Sequence, residues 1–296
     1  MRFDLAINPF GAHVAEMVEL ARVADDAGVD GVWVTDHFSG AVVGADWSRD
    51  PFVCLGAMAA TTQRIRLGPL VANMVNRHPA QLASAVNSVQ SLAGERVVLG
   101  IGSGAAPGSR FAVEHEAIGR SLDDAASRRR ELHATIASLR AIWRGDDEFA
   151  GEPPVDHAGS DPAPLADRRD RVGFSGLIGV TDGATTPPIV VGASAWPTID
   201  VALAVADGVN VRLGARTDDQ LAALAELRPP KFEVSILVAP ADVTAERVAD
   251  LGARGVDRLV VGMSAPYDIS IVERLRDRVA STSDETRTDG SNENRR

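Results

Sequence analysis

Two rhythms of apolar positions alternate along this chain, one with the period of a strand and one with the period of a helix. Short apolar or β-branched runs occupy residues 3–7, 31–35, 65–71, 97–101, 188–191, 208–213, 232–238 and 258–261. The first is stopped by the turn chemistry of Asn8, Pro9 and Gly11. Helical spacing begins with Val14, Met17, Val18 and Ala21, and Gly28 supplies the stop. Further helices are predicted over 51–61, 79–94, 121–145, 198–206, 217–227, 243–253 and 267–279. Pro51 and Pro79 sit at first helical positions, where the missing N–H costs nothing. Ser121 with Asp124 resembles a capping box ahead of the stripe Leu132, Ile136, Leu139 and Trp143.

Eight strands alternating with eight helices imply parallel pairing through crossovers. The predicted fold is a (β/α)8 TIM barrel, with a doubly wound open sheet as the alternative. Residues 146–186 are rich in Pro, Gly and Asp and lack periodicity, so they read as a long insertion before the fifth strand, with a small hairpin near 174–180. Residues 281–296 offer nothing to bury, so a single domain over 1–280 with a disordered tail is expected.

Composition narrows the function classes. At 296 residues and 45% apolar content the chain can bury a large core. Its net charge of −11 argues against a nucleic-acid partner bound through a general basic field. Cys54 is the only cysteine, flanked by Val53 and Leu55, so it reads as a buried apolar residue and neither a disulfide framework nor a cysteine metal site is expected. No run reaches the ~18 apolar residues of a membrane span, and no signal-length segment opens the chain. A cytoplasmic protein acting on a small molecule, with no membrane partner, is the expectation; a homodimer is left open.

The run Val32, Trp33 and Val34 ends in Thr35, Asp36 and His37, at the carboxyl end of a predicted parallel strand, where ligands bind in such folds. An isolated Asp-His pair is more often a histidine held by its neighbour than a catalytic one. Gly100, Gly102 and Ala105 formally fit a dinucleotide-binding pattern, but Pro107 and Gly108 interrupt the helix it should open. A glycine-rich strand end still lets a flat ligand or a phosphate approach the backbone. Residues 191–198, small and hydroxylated, join a strand to a helix start and suit an anion, or ordinary capping by Ser194 or Thr198. Arg77 and His78 precede an N1 proline and read as structural, as do Arg128, Arg129 and Arg130 on a helix face and the cluster Glu114, His115 and Glu116. Serine-hydrolase and zinc-protease templates are not met, and no metal site is expected.

The stretches 34–38, 64–68 with 76–80, 96–104 and 188–194, taken in order, resemble the bacterial luciferase-like oxidoreductase family over residues 1 to about 280. The resemblance implies a TIM barrel that uses coenzyme F420 or FMN, with F420 the expected choice. It implies hydride exchange with a small organic substrate, His37 with Asp36 at the reacting centre, and a third-strand bulge behind the cofactor ring, often with a non-prolyl cis peptide. Cofactor contacts are implied at Leu70, Val71, Ala72 and Asn73, at Gly102, Ser103 and Gly104, and at Ala193, Ser194, Ala195 and Thr198. Phe10 and Ala105 stand where sugar-phosphate dehydrogenases of the family carry glutamates, and the phosphate loop reads Ser194, Ala195, Trp196 in place of the commoner Ser-Gly. Further readings are a flavin-dependent monooxygenase, a non-catalytic flavin-binding barrel and a phosphate-binding isomerase or aldolase.

Overall fold

The first strand, β1 (Arg2–Ile7), shows how the chain divides itself. Its side chains alternate, so Phe3, Leu5 and Ile7 join one buried cluster while Ala6 joins another. The same division recurs around the sheet. Ala6, Trp33, Leu70, Val98, Val190 and Val260 form the smaller, inner cluster, with Leu237 packed on it. The other strand faces meet helices in the larger outer cluster. A computed structural model describes residues 1–151, 172–181, 183 and 185–289.

The elements that follow are α1 (Val14–Asp26), β2 (Gly31–Val34), α2 (Pro51–Thr61), β3 (Arg66–Pro69), β4 (Ala72–Asn73), α3 (Pro79–Ala93), β5 (Leu99–Gly102), α4 (Ala112–Ala117) and α5 (Ala125–Arg144). After the antiparallel pair β6 (Glu148–Phe149) and β7 (Phe174–Ser175) come β8 (Ile189–Ala193), α6 (Trp196–Val205), β9 (Gly208–Arg212), α7 (Thr217–Leu227), β10 (Glu233–Val238), α8 (Ala245–Ala253), β11 (Arg258–Met263) and α9 (Ile271–Asp289). The main sheet runs β3-β2-β1-β11-β10-β9-β8-β5-β4, all parallel. Its two ends are halves of one strand: Leu67 bridges Val97, and the Val98 amide donates to the Leu67 carbonyl at 3.0 Å. The sheet thereby closes into the expected eight-unit barrel, and the open-sheet alternative falls away.

Several boundaries differ from the sequence reading. The third strand is split at a non-prolyl cis peptide between Leu70 and Val71, the place the resemblance implied. Phe174 is in a strand, but its partner is Phe149, upstream of the expected hairpin; about half of the expected insertion, residues 152–171, lies outside the described residues. The helix expected from residue 121 begins at Ala125, because Asp124 is itself the cap, accepting the Ser127 amide at 2.8 Å. α6 starts two residues early, at Trp196, and the last helix starts late, at Ile271, after a cis Ala265–Pro266 bond. α9 continues to Asp289 where an end at residue 279 was expected, since each further residue of a formed helix gains a hydrogen bond without needing an apolar face. Cys54 lies in the outer core, and burial pushes its thiol up to about 11. Among the described residues no helix is long and apolar enough to cross a membrane.

Candidate active site

Parallel strands all deliver their carboxyl ends to one rim, and four neighbouring positions on that rim carry the predicted residues. Around the sheet these are the ends of β2, of the β3/β4 strand, of β5 and of β8. His37 leaves β2 with its Nδ1 2.6 Å from the Glu114 Oε2. Its ring lies between two phenylalanines, with centroid distances of 5.3 Å to Phe10 and 4.6 Å to Phe111, the latter stacked. Packed by both rings and held at one nitrogen, the imidazole is 22% exposed and keeps Nε2 for a ligand.

Glu114, taken as structural on the sequence, is the group that holds this arrangement. It is buried on α4 and accepts the Phe38 and Ser39 amides at 2.8 Å each as well as facing His37. Burial opposes its ionisation, but the bonds from His37 and the two amides outweigh that and hold its carboxyl below the ordinary glutamate range. Its neighbour His115 is buried too, and its Nε2 meets the Asn73 Nδ2 at 2.8 Å. The Asn73 Oδ1 already accepts the Val75 amide, so its NH2 must donate to His115, which requires a neutral imidazole. Burial pushes the His115 pKa down, in agreement. Only Glu116 of the cluster is exposed.

The pairing of His37 with Asp36 is not what forms. Asp36 is buried facing the other way, accepting the Asn73 amide at 2.8 Å and the Arg77 Nη1 at 2.7 Å. Arg77 also reaches Asp50 at 2.6 Å and lies over the Phe52 ring at 5.0 Å. Burial weakens the Arg77 charge, yet Asp36 and Asp50 more than restore it and raise its pKa. Asp36 thus ties the end of β2 to the third-strand bulge. His78, read as structural, caps α3 by accepting the Ala80 amide at its Nδ1.

The expected cofactor contacts separate into two groups. Leu70 belongs to the inner core and Ala72 to the outer one, so neither side chain opens on the rim, and the Asn73 side chain is engaged as described. Val71 remains half-buried there. A Cβ on Gly102 would lie 2.6 Å from one Val71 methyl, and a Cβ on Gly192 would lie 2.7 Å from the other. Gly104, at φ +78°, is crowded by His115 and Val75 at 2.8 Å each, and its carbonyl accepts from Arg128 at 3.0 Å. These glycines are explained by protein packing before any ligand is invoked. Ser103, between them, is half-buried.

The β8 loop is different. Ala193 is buried, Ser194 is exposed, and Ala195 is the N-cap residue immediately before α6. No side chain caps this helix, so neither Ser194 nor Thr198 takes the ordinary capping role, and Pro197 stands in its first turn. An uncapped helix start with an exposed hydroxyl beside it fits a phosphate group, because the amides and the helix dipole favour an anion. The described residues contain no grouping able to hold a metal ion.

The luciferase-like monooxygenase family matches residues 2–289, and the chain belongs to it. Over 209 residues it is 26% identical to a 5,10-methylenetetrahydromethanopterin reductase of Methanolobus tindarius, covering 71% of this chain and 53% of that one. It is 32% identical over 145 residues to an F420-dependent glucose-6-phosphate dehydrogenase of Amycolatopsis mediterranei, covering 46% and 40%. These matches span about half or less of each relative's length. Among solved structures, an F420-dependent secondary alcohol dehydrogenase in complex with an F420-acetone adduct superposes with a TM-score of 0.73 at 14% identity, covering 95% of this chain and 98% of the other. That likeness shows the shared barrel.

Proposed function

We propose that this protein is an oxidoreductase that exchanges hydride between coenzyme F420 and a small organic substrate, with FMN as the alternative cofactor. The observation that carries the proposal is His37: a histidine at the carboxyl rim, stacked on Phe111 and packed by Phe10, fixed at Nδ1 by a buried carboxylate and open at Nε2. Bound at the rim, the deazaflavin supplies the redox chemistry, and the chain supplies binding, orientation and a proton. His37 Nε2 hydrogen-bonds the reacting oxygen of the substrate and carries its proton, while Glu114 fixes the ring's orientation. Asp36 acts at one remove, by holding the bulge through the Asn73 amide and Arg77. Ser194, Ala195 and the first turn of α6, with Thr198, receive the cofactor phosphate.

Two named relatives support the choice of chemistry, one of them F420-dependent by name. Phe10 and Ala105 bring no carboxylate to the rim, and Glu114 brings one to His37, which favours a working enzyme over a non-catalytic flavin carrier. A cytoplasmic location, without nucleic-acid or membrane partners and with a homodimer left open, completes the proposal. Side-by-side titrations test the cofactor assignment: F420 should bind more tightly than FMN, and equal or reversed dissociation constants would overturn the choice.

A further inference from the structure

The opposite, amino-terminal mouth of the barrel holds a cavity of about 1070 Å³, lined by Arg2, Arg66, Lys231 and Glu233 among others. Three cations converge on a single carboxylate there. Arg2, Arg66 and Arg258 reach Glu233 at 2.8, 3.2 and 3.1 Å, and Arg258 also binds the buried Asp4. The remaining charged lining is matched in pairs, Arg140 with Asp207 and Arg228 with Asp257. Outside those two pairs, and counting Lys231, four cations stand against two carboxylates, Glu233 and Asp4, within a chain whose net charge is −11.

Donors remain to spare among the lining residues. A guanidinium has five N–H groups, and Arg66, 27% exposed, spends only its Nη1 on Glu233. Arg2 is 48% exposed. Lys231 is placed in this lining at φ +69°, in the third position of the turn that Phe232 closes onto the Pro229 carbonyl. Glycine suits that position, and a lysine occupies it only at a conformational cost. Burial and the nearby Arg258 both act against the Arg66 charge, which a bound anion would relieve.

We propose that this cavity is a second binding site, distinct from the candidate active site, for a multivalent oxyanion of phosphate or carboxylate chemistry, held by Arg2, Arg66 and Lys231. Pyrophosphate and citrate, each at constant ionic strength against potassium chloride, serve as probes of thermal stability. At least one should raise Tm saturably, since a ligand that binds only the folded state stabilises it; which of them does so identifies the oxyanion. The Ser194→Asp variant, which places a negative charge at the start of α6 on the other face, should respond as the native protein does. Arg2→Ala with Lys231→Ala should weaken the dissociation constant about tenfold or more through lost charge-assisted bonds. Lys231→Gly should match or exceed the native Tm without anion and yet respond weakly, which separates lost binding from lost folding. An equal response in the native and Arg2→Ala/Lys231→Ala proteins, a response abolished by Ser194→Asp, or none beyond potassium chloride would overturn the proposal.

Discussion

At the scale of single residues, the site rests on a carboxylate that comes from far along the chain. Thr35, Asp36 and His37 are legible because they end an apolar run; Glu114 is not, because it lies 77 residues away and nothing local shows that it is buried. The one available signal is its position beyond β5, in the segment that leaves the same rim. Glu114→Gln should cut turnover about 10²-fold, within the span of a general acid-base group whose orientation is lost, with cofactor affinity little changed. The same variant carries a pH signature. A glutamate held below its ordinary value of 4.5 stabilises the fold above that pH, and the contribution fades as pH falls through the lower folded value. Native protein should therefore exceed Glu114→Gln in stability by about 1–3 kcal/mol at pH 7, and paired melts should show that gap closing below about pH 4.5. A gap constant with pH would mean that Glu114 is not the ionised partner of His37.

At the scale of elements, alternation and helical spacing were enough to locate the eight strands of the barrel and eight of the nine α-helices named above. They did not reveal that the third strand is broken or that α4 exists, because a six-residue helix has too few turns to show a period. Glycines are the other place where sequence misleads. Gly102 reads as room for a ligand, yet a Cβ there, like one on Gly192, would first meet a methyl of Val71. Gly192→Ala should cost about 1–3 kcal/mol by overpacking, and Val71→Ala in the same chain should recover much of it, as denaturant melts would show. Loss of cofactor affinity without loss of stability would restore the ligand reading. The start of α6 offers the complementary case: Ser194→Asp should weaken F420 binding by about tenfold or more through repulsion at the helix dipole, read by titration, with Tm little altered.

At the scale of the whole molecule, closure brings the two ends of the chain together, since β1 pairs β11 from Arg2–Arg258 to Ile7–Met263. The buried Asp4 and Arg258 are joined across that seam, with Trp33 Nε1 donating to Asp4 at 2.7 Å. Sequence alone gives no sign of this pair, 254 positions apart. Asp4→Ala should destabilise by about 3–5 kcal/mol, because it leaves a buried guanidinium short of its partner; a loss under about 1 kcal/mol in chemical denaturation would show the seam to be held by apolar packing alone. What the barrel exists to do is tested most directly at His37, by measuring F420-coupled turnover of His37→Ala with the best substrate found by screening, and its F420 dissociation constant in the same preparation. The proton-carrying role of His37 predicts a fall in turnover of about 10²- to 10⁴-fold with the dissociation constant changed by less than about threefold, a shift worth under about 1 kcal/mol. Near-native turnover from the folded variant would contradict it.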